Sequence, residues 1–146
     1  MEISATTRIN RPVADVWRWY AVEHVRNHPR WDPDMELEQL TPGPMGVGTR
    51  IRRRNTRFGA PVDGEMEITQ WEPERVLATH IRDANMEILG RATLESVAVA
   101  ETMLTIGIVV PGLDDSKAEV MRERLGRTVE SIKSLVESEV QAGSLG

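Results

Sequence analysis

"DDSKAEVMRERLGRTVESIKSLVESEV", residues 114 to 140, is the stretch on which the fold turns. Met121, Leu125, Val129, Ile132 and Val136 follow one another at intervals of three or four, which places them on one stripe of a helix, while charged residues and serines occupy most of the remaining circumference. Asp114 or Asp115 is positioned to cap the first turn. A helix this long with a single apolar side needs an apolar surface of matching length. The preceding residues must build that surface.

They read mainly as strands. "EISATTRI" (2–9) sets Ile3, Ala5, Thr7 and Ile9 against Glu2, Ser4, Thr6 and Arg8, the period of a half-buried strand. "NRPVADVWRWYAVEHV" (10–25) changes to helical spacing, with Asn10 as cap, Pro12 in the first turn and Val13, Val16, Trp17 and Tyr20 on one side. A short second helix in "VRNHPRW" (25–31) is expected to end near His28, because Pro29 disfavours helical backbone in the residue before it. "DMELEQL" (34–40), "TRIRRRNTR" (49–57), "GEMEITQW" (64–71), "RVLATHIRD" (75–83), "MEILGRATLESV" (86–97) and "ETMLTIGIVV" (101–110) supply six more strands, parted by turn signals such as "TPGPMGVG" (41–48). "QAGSLG" (141–146) reads as a disordered tail. The order β-α-α-β-β-β-β-β-β-α predicts one α+β domain over 1–146, a seven-stranded curved antiparallel sheet wrapped around the long C-terminal helix.

The run "IRRRNTRFGAPVDG" (51–64) is crowded with arginine in a chain of formal net charge -5. With Ile51 facing inward, Arg50, Arg52 and Arg54 face outward, between Glu36 and Glu38 on one neighbouring strand and Glu65 and Glu67 on the other. That is an acid, base, acid ladder of cross-strand pairs. Arg53 shares the inward phase of Ile51, where a guanidinium requires an anion. Either Asp83 supplies it from the same inward phase, or a ligand carboxylate, enolate or phenolate does.

Composition removes several classes of function. No apolar run reaches the roughly 18 residues of a membrane helix, so membrane insertion is not expected. The acidic balance argues against a nucleic-acid partner, and the absence of cysteine removes disulfides, thiolate catalysis and cysteine-ligated zinc. "MEISATTRIN" lacks the basic and apolar regions of an export signal, so a cytoplasmic location is expected. Lysine occurs only at 117 and 133 among 18 basic residues, a bias typical of a GC-rich bacterial genome. His24 and His28 stand four apart with Asp32 and Asp34 following, yet Pro29 interrupts the helix and no third ligand is set by spacing, so no metal is expected. No residue pattern calls for a cofactor.

"ISATTRINRPVADVWRWY", "PRWDPDMELEQLTPGPMGVGTRIR", "EITQWEPERVL" and "TLESVAVAETMLTI", closed by the amphipathic helix, resemble the polyketide cyclase/dehydrase branch of the START-like, pollen-allergen-like helix-grip superfamily, often called SRPBCC. The likeness runs from residue 3 to about 138 and rests on structural positions such as Pro12, Trp17, Trp31, Gly48, Pro73 and Thr102. It implies a ligand cavity between sheet and long helix, entered near the second helix. Pocket positions of the aromatase/cyclase members fall at His28, Asp32 and Met35 near the entrance and at Met66, Ile68 and Gln70 on the fourth strand. The chain departs from those members in having one Tyr and one Phe, and in carrying Gln70 where cyclases can have an arginine.

The expected wall is aliphatic. Ile51, Met66, Ile68, Ile88 and Leu94 come from the earlier strands, Leu104, Ile106 and Ile108 from the last, and Met121 and Leu125 from the long helix. Arg53, Asn55, Gln70, Thr79 and His28 add polar points, with Trp31 at the mouth. Such a wall suits a small hydrophobic molecule (a lipid, isoprenoid or aromatic, polyketide-like compound) bound by a monomer or homodimer. Two other functions fit the same sequence. One is a cyclase/dehydratase in which Arg53 and Gln70 stabilise an enolate and His28 moves a proton. The other is a groove that takes a partner protein's apolar segment.

Overall fold

The computed structural model describes residues 2–57 and 59–141. The alternating segments form β1 (Glu2–Ile9), β2 (Met35–Gln39), β3 (Arg50–Asn55), β4 (Val62–Glu72), β5 (Val76–Asp83), β6 (Met86–Ala98) and β7 (Glu101–Val109). All seven join one antiparallel sheet in the order β1-β7-β6-β5-β4-β3-β2. Consecutive strands pair from β2 to β7, and β1 returns to the edge beside β7, so strands from the two ends of the sequence lie together. Three helical elements precede β2 or follow β7: α1 (Val13–Trp17), continued as a π-helical segment over Arg18–Val22, then α2 (His24–Trp31), and α3 (Asp115–Glu139). The tail expected from about residue 141 falls, beyond Gln141 itself, outside the described residues.

The stripe read from the sequence is the side α3 buries. Leu125, Val129, Ile132 and Val136 are sealed with Ala118 against a core that includes Ile3, Ile9, Leu104 and Ile106. Met121 is only partly covered. Each fully buried aliphatic side chain contributes about 1.5–3 kcal/mol relative to exposure, so this stripe anchors the helix.

Polar contacts tie down both ends of α3. The Asp114 carboxylate accepts the Lys117 N–H at 2.9 Å. At the other end Arg11 donates to the carbonyls of Glu137 and Val140, placing a cation where the helix leaves its carbonyls unpaired. Glu139 receives Arg30 and the Trp19 indole N–H, the latter at 3.0 Å.

Two local expectations change. Asn10 does not cap α1: Pro12 holds that place without a side-chain hydrogen bond, and the Asn10 backbone N–H goes instead to Glu137 at 2.8 Å. α2 runs through Pro29 to Trp31 rather than ending near His28. In the last turn of so short a helix proline withholds only one N–H, while the Trp31 ring, stacked on Tyr20 and His28, holds the turn from outside.

Truncating Ile132 to Ala should destabilise the fold by about 2–5 kcal/mol in urea unfolding, whereas Val120→Ala, on the exposed side of α3, should change it by less than about 0.5 kcal/mol.

Candidate functional site

Between the inner face of the sheet, α3 and the helical segment ahead of β2 lies a cavity of about 170 Å³. Its apolar lining comes from Leu77, Ile81, Ala92, Ile106, Ile108 and Leu125. Tyr20, His24, His28, Asp32 and Arg53 bring polar and titratable side chains to it, and Thr79 lies between Leu77 and Ile81 on β5. A larger trough of about 450 Å³ on the opposite face of the sheet is bordered by Glu2, Leu89, Arg91, Thr105 and Val109. It brings no comparable set of titratable groups together, and the inner cavity is the candidate site.

The π-helical segment creates much of the polar lining. An α-helical stripe through Val13, Val16, Trp17 and Tyr20 leaves Trp19 off the buried side, whereas the wider turn over Arg18–Val22 buries Trp19, Tyr20 and Ala21 together. Tyr20 then stands one helical step from His24, and His24 one step from His28. Trp31 packs against all of them: ring centroids lie 5.5 Å from Tyr20, 5.6 Å from His24 and 4.8 Å from His28.

These groups form a chain. His24 Nδ1 donates to the Tyr20 carbonyl at 2.9 Å, and its Nε2 lies 3.0 Å from Nδ1 of His28. His28 Nε2 is 3.9 Å from Asp32, close enough for ionic attraction but too far for a hydrogen bond. Asp32 receives Arg57 at 2.6 Å. Burial, together with the charges of His28 and Arg53, lowers His24 to about 3. Burial also lowers His28, with Arg53 acting in the same direction and Asp32 opposing it. Burial alone would raise Asp32, but its contacts with His28 and Arg57 prevail and hold it at about 2. Both histidines are therefore neutral at pH 7, and Asp32 is charged.

Arg53 does point inward, and it meets Asp83. Nε and Nη2 donate to the two carboxylate oxygens at 3.2 and 3.1 Å, a two-pronged bridge. The bridge depends on the strand between them, because Arg53, Gly64 and Asp83 occupy one rung across β3, β4 and β5. A Cβ at residue 64 would sit 2.0 Å from Asp83 Oδ1 and 2.4 Å from the Arg82 carbonyl oxygen. Glycine leaves the guanidinium its passage. Nη1 of Arg53 meets no acceptor among the described residues, so part of the fork remains available on the cavity side. The Tyr20 hydroxyl likewise has no partner among them, and burial raises its pKa, keeping it a phenol.

Of the residues expected to line the cavity, His28, Trp31, Arg53, Met66, Thr79, Ile106, Ile108 and Leu125 do so. Ile68, Leu94 and Leu104 lie in the closed core, and Met121 packs against its edge. Ile51 is sealed in a second cluster with Met66 and Ile81, against which Ile88 packs. Met35 and Asn55 are buried at paired positions of β2 and β3, where the Asn55 side chain accepts the Arg57 N–H at 2.8 Å. These residues have the expected inward phase, but neighbouring side chains cover them.

Gln70 is a correction of a different kind. A bulge at Thr69 shifts the register, so Ile68 pairs with Thr79 but Gln70 with Ala78. The extra residue reverses the faces beyond it: Gln70 turns outward and hydrogen-bonds Glu72, while Trp71 turns inward onto Trp17 at 5.0 Å. Asp32 lines the cavity as the resemblance implied, and Tyr20, His24, Leu77, Ile81, Gly90, Arg91, Ala92 and Thr128 complete the lining without having been expected there. Leu77 and Ile81 share the alternation phase of Asp83, the inward one, and that was the available signal for those two. Among the described residues no group of three or more His, Asp or Glu side chains is arranged to hold a metal.

A curved sheet gripping one long helix, with a small cavity between them bordered by residues of α2, defines a helix-grip domain. No protein-family model matches the chain, and no curated protein matches it. Solved structures share the fold. Ara h 8.0201 superposes with a TM-score of 0.76 at 13% identity, covering 94% of this chain and 98% of that one. A START superfamily protein from Mycobacterium smegmatis gives 0.74 at 13%, covering 94% and 97%. The di-domain ARO/CYC BexL from the BE-7585A biosynthetic pathway gives 0.66 at 19%, covering 96% of this chain and 46% of that one. The START-like helix-grip fold expected from the sequence is thus the fold observed.

Two measurements check this geometry. Gly64→Ala should cost about 1–3 kcal/mol in urea unfolding, because a backbone carbonyl as well as the Asp83 carboxylate blocks the added methyl. The second is pH dependence. An unfolded histidine titrates near 6.5 and folded His24 near 3, so between those values the unfolded state binds more protons and stability falls as pH falls. Unfolding free energy should be maintained above about pH 6.5, and by about pH 5 His24 alone should remove about 2 kcal/mol of it. His24→Gln should flatten the curve between those two pH values.

Proposed function

We propose that the cavity binds a compact, largely apolar small molecule, about one or two fused rings in size, with one polar group turned toward Arg53, Tyr20 and His28. The observation carrying this reading is a space of about 170 Å³ lined by aliphatic side chains together with Tyr20, His28 and Arg53, whose hydroxyl, Nε2 and Nη1 meet no hydrogen-bond partner among the described residues. An apolar cavity of about 150 Å³ accommodates benzene, whereas sites for drug-sized ligands span roughly 300–1,000 Å³. An extended lipid or a four-ring polyketide would require the cavity to widen. The fold shared with a START superfamily protein is consistent with a hydrophobic ligand in this position.

Arg53 beside His28 favours a second reading, a cyclase or dehydratase in which the free Nη1 stabilises an enolate while His28 moves the proton. The likeness in fold to an ARO/CYC protein supports it. With Gln70 outside the cavity, two of the three side chains first considered for that chemistry remain.

Thermal unfolding with a graded series of apolar compounds, from single rings to four fused rings and long-chain fatty acids, tests the binding reading. One- and two-ring compounds should stabilise the protein, by about 2.7 kcal/mol at a hundred times their dissociation constant, and the larger ones should not. Leu125→Trp fills the cavity and should abolish the effect. Stabilisation by the large compounds alone, or stabilisation unchanged by Leu125→Trp, would place the ligand elsewhere.

A further inference from the structure

We infer that His28 is the proton acceptor of the cavity, and that the compound bound there carries an acidic X–H group (a phenol, an enol or a carboxylic acid) whose proton passes to His28 Nε2 on binding. This rests on the binding reading above and adds the chemistry of the ligand's polar end.

The argument begins at the Tyr20 carbonyl. A carbonyl only accepts, so Nδ1 of His24, 2.9 Å away, must carry a proton. His24 is neutral, which leaves its Nε2 with a lone pair. Nδ1 of His28, 3.0 Å from that lone pair, must then be the donor. Neutral His28 has no second proton, and its Nε2 is left as a lone pair. No donor among the described residues meets that nitrogen; its near neighbour is the Asp32 carboxylate at 3.9 Å, which cannot donate. The backbone carbonyl thus selects, through His24, the tautomer of His28 that presents a base to the cavity. Asp32 is the poorer base, since Arg57 holds it ionised.

The transfer balances. The X–H bond breaks, its electron pair stays on X, and the proton forms an N–H at Nε2. The resulting imidazolium lies beside Asp32 and stacks on Trp31, with centroids 4.8 Å apart and planes inclined by 18°. The anion can take the free Nη1 of Arg53, whose Nε–H and one Nη2 N–H are already engaged by Asp83. The groups facing His28 are His24 of α2, Asp32 just after it, Tyr20 of the π-helical segment, Arg53 of β3, Arg57 of the turn after β3, and Asp83 of β5 acting through Arg53. Burial and the two arginines disfavour the imidazolium when the cavity is empty; Asp32 and the arriving anion favour it. Protonation of His28 and binding of the anion therefore support each other.

4-Nitrophenol and 4-nitroanisole provide the test, as one ring with and without an acidic proton. At about pH 6, where the free phenol is mostly protonated and colourless, the wild-type protein should bring up the yellow phenolate band and bind the phenol at least tenfold more tightly than the ether. Calorimetry of the wild type above the phenol's own pKa, in two buffers of different ionisation enthalpy, should register uptake of one proton per ligand. His28→Gln should bind 4-nitrophenol without the band and about tenfold more weakly. Equal affinity for the two probes with no phenolate band, or a band that survives His28→Gln, would overturn the inference and leave the cavity reading standing. Binding of neither probe would overturn both.

Discussion

The apolar side of α3 must be buried, and most of the molecule follows from that constraint. A flat sheet touches a cylinder along a narrow line; a curled one covers more of the helix, and the described chain extends its sheet by returning β1 to the edge beside β7. Between sheet and helix a small space remains beside Leu125 and Thr128 of α3. Trp17, Trp19, Tyr20, Trp31 and Trp71 crowd around the α1 and α2 segments, each in ring contact with another of the five. Of these rings Tyr20 and Trp31 border the cavity, whose volume is about 170 Å³.

Charge is arranged on the same principle of local closure. On the outer face the arginines of β3 meet acids from both neighbours: Arg50 with Glu65, and Arg52 with Glu38 and Asp63. Such exposed pairs contribute little each, about 0.2–1 kcal/mol, and keep the face solvated. The buried pairs have a different role. Arg53 with Asp83 and Arg57 with Asp32 bring full charges to the cavity while leaving each guanidinium balanced by a carboxylate. The cavity can therefore carry polar groups with little net charge, and the titratable freedom there is concentrated in His28.

Both readings of Arg53 that the sequence allowed have a place in this arrangement. The carboxylate pairing with Asp83 occupies Nε and Nη2, and the geometry of a guanidinium leaves Nη1 over. Gly64 lets this happen, and its role is invisible in a strand read alone, where a glycine registers only as a weak position. The contribution of His24 is hidden in the same way: its hydrogen bond to a carbonyl one turn earlier decides which nitrogen of His28 is basic.

The strands, the three helices, the face of α3 that is buried, the inward phase of Arg53 and the acid, base, acid ladder were all legible in the amino-acid order. Each depends on a period of two or of three to four, and periods survive without knowledge of neighbours. Tertiary structure alone decided which inward residues reach a cavity. Alternation assigns a face but not a depth, so Ile51, Ile68 and Leu104 share the phase of Ile106 and are nevertheless sealed by side chains from other elements. It also decided the exceptions to periodicity. One extra residue at Thr69 sent Gln70 outward and Trp71 inward, and one widened turn brought Trp19 and Tyr20 in together, because the packing of the aromatic cluster outweighed the local rule.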